Sequence, residues 1–276
     1  MTLFHAVVLA IVQGLTEFLP ISSSAHLWFF PWALHWPDGG LPFDVALHAG
    51  TLAAVLFYFL GTWIELVLNG IGVRYPVQAS DEQCQSSRRL FWFLVIGTIP
   101  GAVVGFLFER FIEDTWRNPI PIAAVMIAVA LLMALVESIG GLRRVLEQVT
   151  LRDSVVVGLA QALALFPGVS RSGITIVAGL WRKMTRETAA RFSFLLGLPA
   201  IALAGLKELA ELRHAGLDAH GWSVLILGLV VASLSSFLAI WALLRILERF
   251  AAWPFVVYRA LLGAVLLAGV ATGWLG

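Results

Sequence analysis

The apolar positions of this chain fall in long blocks rather than in alternation. Six blocks, about 43–70, 90–108, 120–139, 190–206, 222–246 and 253–275, are long enough to cross a hydrocarbon core as helices, which takes roughly 17–25 residues for roughly 30 Å. Two further blocks, around 4–34 and 154–181, are broken near their centres by a Pro and a Ser-rich turn. The pieces that follow the breaks, 27–34 and 174–181, are too short to cross alone. Non-helical backbone at membrane depth is tolerated only inside protein or beside a polar cavity. Both broken blocks are therefore predicted to be re-entrant hairpins whose turns lie within the molecule.

The broken blocks also repeat one another. Residues 13–23 read Q-G-L-T-E-F-L-P-I-S-S and residues 161–170 read Q-A-L-A-L-F-P-G-V-S. With one residue dropped after the Phe, Gln13 pairs with Gln161, Leu15 with Leu163, Phe18 with Phe166, Pro20 with Pro167 and Ser23 with Ser170. Each copy opens a unit of one hairpin and three spans. The expected fold is an all-α polytopic membrane protein with an inverted-topology repeat: six transmembrane helices plus two re-entrant helical hairpins. It forms a single integral membrane domain over 1–276, with repeat 1 at about 1–140 and repeat 2 at about 154–276. Paired, interrupted segments of this kind point to a site at the bilayer midplane between the repeats.

Composition agrees with a membrane solvent. The chain is 60% hydrophobic and 13% charged, against about 45–50% and 25% in soluble domains. A net charge of +1 provides no global field to recruit nucleic acid. One cysteine, Cys84, excludes an internal disulfide and a Cys-based metal site. The N-terminal block has no basic start and no small-residue cleavage site, so it is expected to stay in the mature protein. Loop charge sets the orientation. The loops at 74–89, 140–153, 182–191 and 247–252 share one side and carry 12 Lys/Arg, counting Arg245, against four on the other side. The basic side is expected to be cytoplasmic, which leaves both termini outside.

Two charges stand out at midplane depth. Glu17 and Arg171 lie in the two broken blocks, where an ion costs roughly 2.5–3.5 kcal/mol on insertion scales unless paired or hydrated. A structural Glu17–Arg171 ion pair is the plainest account of both. Their neighbours Ser22, Ser23, Ser24, His26, Ser170, Ser172 and Thr175 supply more donors than one ion pair needs. Arg presents a planar fork that matches two phosphate oxygens. Gly168 and Gly173 free turn N–H groups toward an anion, and a helix N-terminus after the turn adds partial positive charge. Glu17 beside such a clamp reads as a general base or as a ligand for Mg²⁺ or Ca²⁺, which favour carboxylate and phosphate oxygens. His26 is one helical turn beyond Ser23, and Ser beside His can form an activated nucleophile. The expected roles are thus catalytic for Glu17, Ser23, His26 and Arg171, phosphate-binding for Ser22, Ser24, Ser170, Arg171, Ser172 and Thr175, and metal-binding for Glu17. His48, among small apolar residues of a span, reads as a buried, hydrogen-bonded histidine. Glu65 and Glu137 reach water or Arg neighbours near helix ends. Arg259 either meets lipid phosphates or holds a helix contact.

At these residues the chain resembles the bacitracin-resistance type of undecaprenyl-diphosphate phosphatase. The likeness rests on Q-G-L-T-E-F-L-P-I-S-S-S-A-H-L and F-P-G-V-S-R-S-G-I-T. It extends over essentially the whole chain through F-D-V-A-L-H-A-G-T at 43–51, F-S-F-L-L-G-L-P at 192–199 and P-F-V-V-Y-R at 254–259. The resemblance implies an inner-membrane enzyme that removes the terminal phosphate of a polyprenyl diphosphate with a divalent cation, regenerating the lipid carrier of cell-wall synthesis. It implies a site of Glu17, Ser23, His26, Ser170, Arg171 and Thr175. Some members carry Glu where this chain has Gln13, which removes one carboxylate ligand or base here. The partners implied are the lipid substrate and membrane lipids, and a homodimer is allowed. The rival reading is a lipid flippase or secondary transporter, since inverted repeats with broken helices serve transport as well and fold alone does not settle function.

Overall fold

A computed structural model describes residues 1–37, 39–116, 118–212 and 217–273, without the side chains of 41, 109, 110, 113–115, 204 and 206–212. Arg117 and Arg213, counted among the loop charges, and the terminal Gly276 lie outside the described residues, and the counted Arg110 and Lys207 outside the described side chains. In chain order the helices are α1 (Leu3–Phe18), α2 (Ser23–Ala33), α3 (Gly40–Tyr58), α4 (Leu60–Gly70), α5 (Asp81–Trp116) and α6 (Pro119–Ile139). After a 3-10 turn at Leu146–Gln148 come α7 (Leu151–Leu163), α8 (Arg171–Trp181), α9 (Arg186–Leu212), α10 (Ala219–Arg249) and α11 (Trp253–Ala271). No strand occurs among the described residues.

Four stretches are long and apolar enough to cross a membrane: Asp81–Phe108, Pro119–Ile139, Ala219–Arg249 and Trp253–Ala271. The chain is a multi-pass membrane protein by that measure. The block expected to span at 43–70 is long and apolar enough as a bent pair, not as one straight helix. It is two helices, α3 and α4, bent by 75°. The break falls at Phe59, whose φ −104 and ψ 18 lie outside the helical well. Phe59 is buried there against Phe194 of α9. The span expected at 190–206 lies within α9.

The two broken blocks fold alike. Each opens on a threonine cap, with Thr2 Oγ1 accepting from His5 N at 3.2 Å and Thr150 Oγ1 from Asp153 N at 3.3 Å. Each turn ends on a serine of positive φ, Ser22 at 77° and Ser170 at 68°. Helices of 11 residues, α2 and α8, start directly after them. The structure therefore pairs Ser22 with Ser170 and Ser23 with Arg171, without the dropped residue that aligning the prolines required. The turn conformation that restarts the helix sets the register, not the position of Pro.

Each hairpin lies against a long helix from the other half, α1 on α10 and α7 on α5, while α6 pairs with α11. These approaches are close. A Cβ at Gly158 would stand 2.2 Å from the Gly97 carbonyl oxygen. The loops gather at two ends. At one, Arg143 and Arg144 N–H groups donate to Lys183 O, Arg186 donates to Glu137 at 2.6 Å, and Ala252 N donates to Glu137 at 2.9 Å. Arg144 and Arg182 both close on buried Asp153 there, each at 2.6 Å. Burial alone would raise the Asp153 carboxyl, but hydrogen bonds from Arg144, Thr150 and Arg182 hold it well below the usual carboxylate range. At the other end the Met1 carbonyl accepts from His220 Nε2 at 3.1 Å.

Candidate active site

The two turns meet. Gly168 N donates to Ser24 Oγ at 3.2 Å, and Ser172 Oγ donates to Leu19 O at 3.1 Å. Hydroxyl pairs mirror each other across the junction: Ser22 with Ser24, and Ser170 with Ser172, both at 3.2 Å. Both α2 and α8 start at this junction, so their N-terminal turns lie beside it.

Glu17, at the end of α1, joins the halves. Its Oε1 accepts from Arg171 Nη2 at 2.9 Å, and its Oε2 accepts from Ser23 Oγ at 2.7 Å and from Gln13 Nε2 at 3.1 Å. The ion pair expected as the plain reading is therefore present, and it is largely buried. It is also only part of the arrangement. The other Arg171 amino group donates to Gly197 O on α9 at 2.9 Å, so the guanidinium is held flat between two elements. Ser23 aims its proton at a carboxylate. Among the expected site residues, Glu17, Ser23 and Arg171 thus form one chain of hydrogen bonds.

The other expected residues support that chain. Ser170 caps α8 by accepting from Gly173 N at 3.1 Å. Thr175 Oγ1 donates to Arg171 O and shares a hydrogen with Ser193 Oγ, both at 2.6 Å. His26 does not meet Ser23. Its Nδ1 faces Ser22 O and its Nε2 faces Tyr258 OH, both at 2.6 Å. His48 donates from Nδ1 to Asp44 O at 3.0 Å, as its structural reading expected, but it is half-buried rather than buried.

The metal question turns on donor chemistry. No group of three or more His, Cys, Asp or Glu side chains that could hold an ion occurs among the described residues. Gln13 is fully buried, and because its Nε2 faces a carboxylate, its Oε1 must point elsewhere, where no described residue bonds it. An orphaned amide oxygen beside a carboxylate is a pair of hard oxygen donors, which fits Mg²⁺ or Ca²⁺ completed by phosphate oxygens and water.

Sequence reasoning left Arg259 of α11 between lipid phosphates and a helix contact, and did not single out Tyr258. Arg259 has no exposed surface and donates to Pro20 O at 3.2 Å, Gly168 O at 2.9 Å, Val169 O at 3.0 Å and Met126 O at 3.3 Å. It ties both turns together and does not reach lipid. A second arginine inside an apolar span was the available signal. For Tyr258 the signal was its place in P-F-V-V-Y-R, although tyrosines are ordinary at membrane interfaces.

Known proteins resemble the chain over nearly its full length. The model of the family described as bacitracin resistance protein BacA matches residues 6–265. An undecaprenyl-diphosphatase 2 of Mesorhizobium japonicum is 49% identical over 96% of this chain and 100% of its own. Undecaprenyl-diphosphatases of Moorella thermoacetica and Geobacter sulfurreducens are 47% and 45% identical, each covering 97% of this chain and 98% of their own.

Proposed function

The chain belongs to the bacitracin resistance protein BacA family, and from that premise we propose that it is an undecaprenyl-diphosphate phosphatase, which releases the terminal phosphate of a polyprenyl diphosphate. The observation that carries the reading is the chain Ser23–Glu17–Arg171 at the junction of the two turns. Such a chain holds a hydroxyl, a base and an anion clamp in mutual contact, the parts phosphoryl transfer requires.

The chemistry follows from the contacts. Ser23 Oγ gives its proton to Glu17 and attacks the terminal phosphorus; the bond to the bridging oxygen breaks and the lipid monophosphate leaves. Water then hydrolyses the phosphoserine and restores Ser23. Arg171 exchanges its contact with Glu17 for phosphoryl oxygens, while its bond to Gly197 O keeps the fork oriented. The N–H groups at the starts of α2 and α8 add partial positive charge where the oxygens gather. Ser22, Ser24, Ser170, Ser172 and Thr175 hold the two turns in register. A divalent cation would be held by Glu17 and would neutralise phosphate charge.

The architecture that suits this reading is six spans plus two re-entrant hairpins in inverted halves, in the bacterial inner membrane, with the basic loops in the cytoplasm. The matched caps, turns and short helices of the two hairpins support it. The deciding experiment is phosphate release from a prenyl diphosphate by purified protein in detergent. No release there, with lipid translocation in vesicles, would favour the transporter reading instead.

A further inference from the structure

We propose that Tyr258 is a positioning residue of the phosphatase reaction, acting through His26; the inference rests on the phosphatase reading above. A carbonyl oxygen can only accept, so the contact with Ser22 O puts the His26 proton on Nδ1. In the neutral ring the lone pair is then on Nε2, and the Tyr258 hydroxyl donates to it at 2.6 Å. The two rings lie parallel, 6° between planes with centroids 5.6 Å apart. Tyr258 thereby sets the tautomer and the plane of His26. His26 in turn holds the carbonyl of Ser22, the positive-φ residue directly before Ser23.

A purely structural tie is the competing account, and two observations weigh against it. Arg259, the next residue on α11, already fixes the same turn through Pro20 O. The matched turn has Ile174 in the place of His26 and no such chain, so the fold of a turn does not demand one. His26 is 2% exposed whereas Tyr258 is 43% exposed, so the only basic atom of the imidazole is covered by a movable group from a neighbouring helix.

Tyr258→Phe keeps the ring stack and deletes the hydroxyl. In full-length protein in detergent, kcat should fall about tenfold, the scale of one hydrogen bond, with KM and thermal unfolding unchanged. In a His26→Ala background the same substitution should cost nothing further. Nitrogen-15 NMR of His26 should show one tautomer in the wild type and a mixture in Tyr258→Phe, a readout that does not depend on activity. Equal kcat for Tyr258→Phe and wild type, additive losses in the double variant, or an unchanged tautomer would each overturn the proposal. An inactive wild type with the expected NMR change would instead count against the phosphatase reading alone.

Discussion

Arg171 contacts Glu17 through one amino group and Gly197 O through the other, and a single ammonium cannot keep both directions. Arg171→Lys preserves charge but loses the fork. Phosphate release should drop by about 10²-fold or more, as when an oxyanion donor is removed, with thermal unfolding in detergent little changed. Near-full activity would return Arg171 to a structural pairing with Glu17. A subtler probe is Gly197→Ala, whose new Cβ would lie 2.4 Å from Arg171 Nη1. The guanidinium must swing aside, so activity should fall in the same direction, by less, in a folded protein. Ser23 and His26 separate by the same logic. Ser23→Ala should abolish turnover yet still bind the lipid diphosphate, because Arg171 and the helix ends remain. His26→Ala should leave measurable turnover, since Ser23 donates to Glu17. Trapped phosphohistidine, with Ser23→Ala the milder lesion, would reverse the two roles.

At the scale of elements, what could be read in advance was whatever leaves a local trace. Pro and Ser inside an apolar block announce a broken helix, and both blocks break where that pattern placed the break. The register between the copies was off by one from Pro20 onward, because the pattern of prolines was visible and the positive φ of Ser22 and Ser170 was not. The break at Phe59 carries no proline and depends on burial against Phe194 of a distant helix, so nothing near residue 59 marks it. The site divides similarly. Glu17, Ser23 and Arg171 stood out as polar residues in apolar surroundings, whereas Tyr258 matters only through a contact across the fold. Glycines are likewise legible only in place. Gly158 lets α7 touch α5 at Gly97. Gly158→Ala forces two backbones apart and should cost about 1–3 kcal/mol by overpacking, seen as a lower unfolding temperature in detergent. Unchanged stability would mean that α7 and α5 pack less closely than described.

At the scale of the whole molecule, the contacts among the basic loops agree with placing those loops on one side. The loops that carry the basic excess converge, with the 140s loop bound to Lys183 and Glu137 bound to Arg186 and Ala252. Met1 meets His220 at the opposite end. Geometry alone does not say which end faces the cytoplasm; the positive-inside bias is the ground for proposing the basic end. With Cys84→Ser as background, a cysteine at Gln85, exposed at the start of α5, should react with an impermeant thiol reagent only after cells are permeabilised. One at Ala219, exposed at the start of α10, should react in intact cells. The reverse pattern would invert the protein in its membrane. The Ser23–Glu17–Arg171 chain would survive that inversion, because its contacts are internal. The side from which each broken block enters the membrane would be reversed.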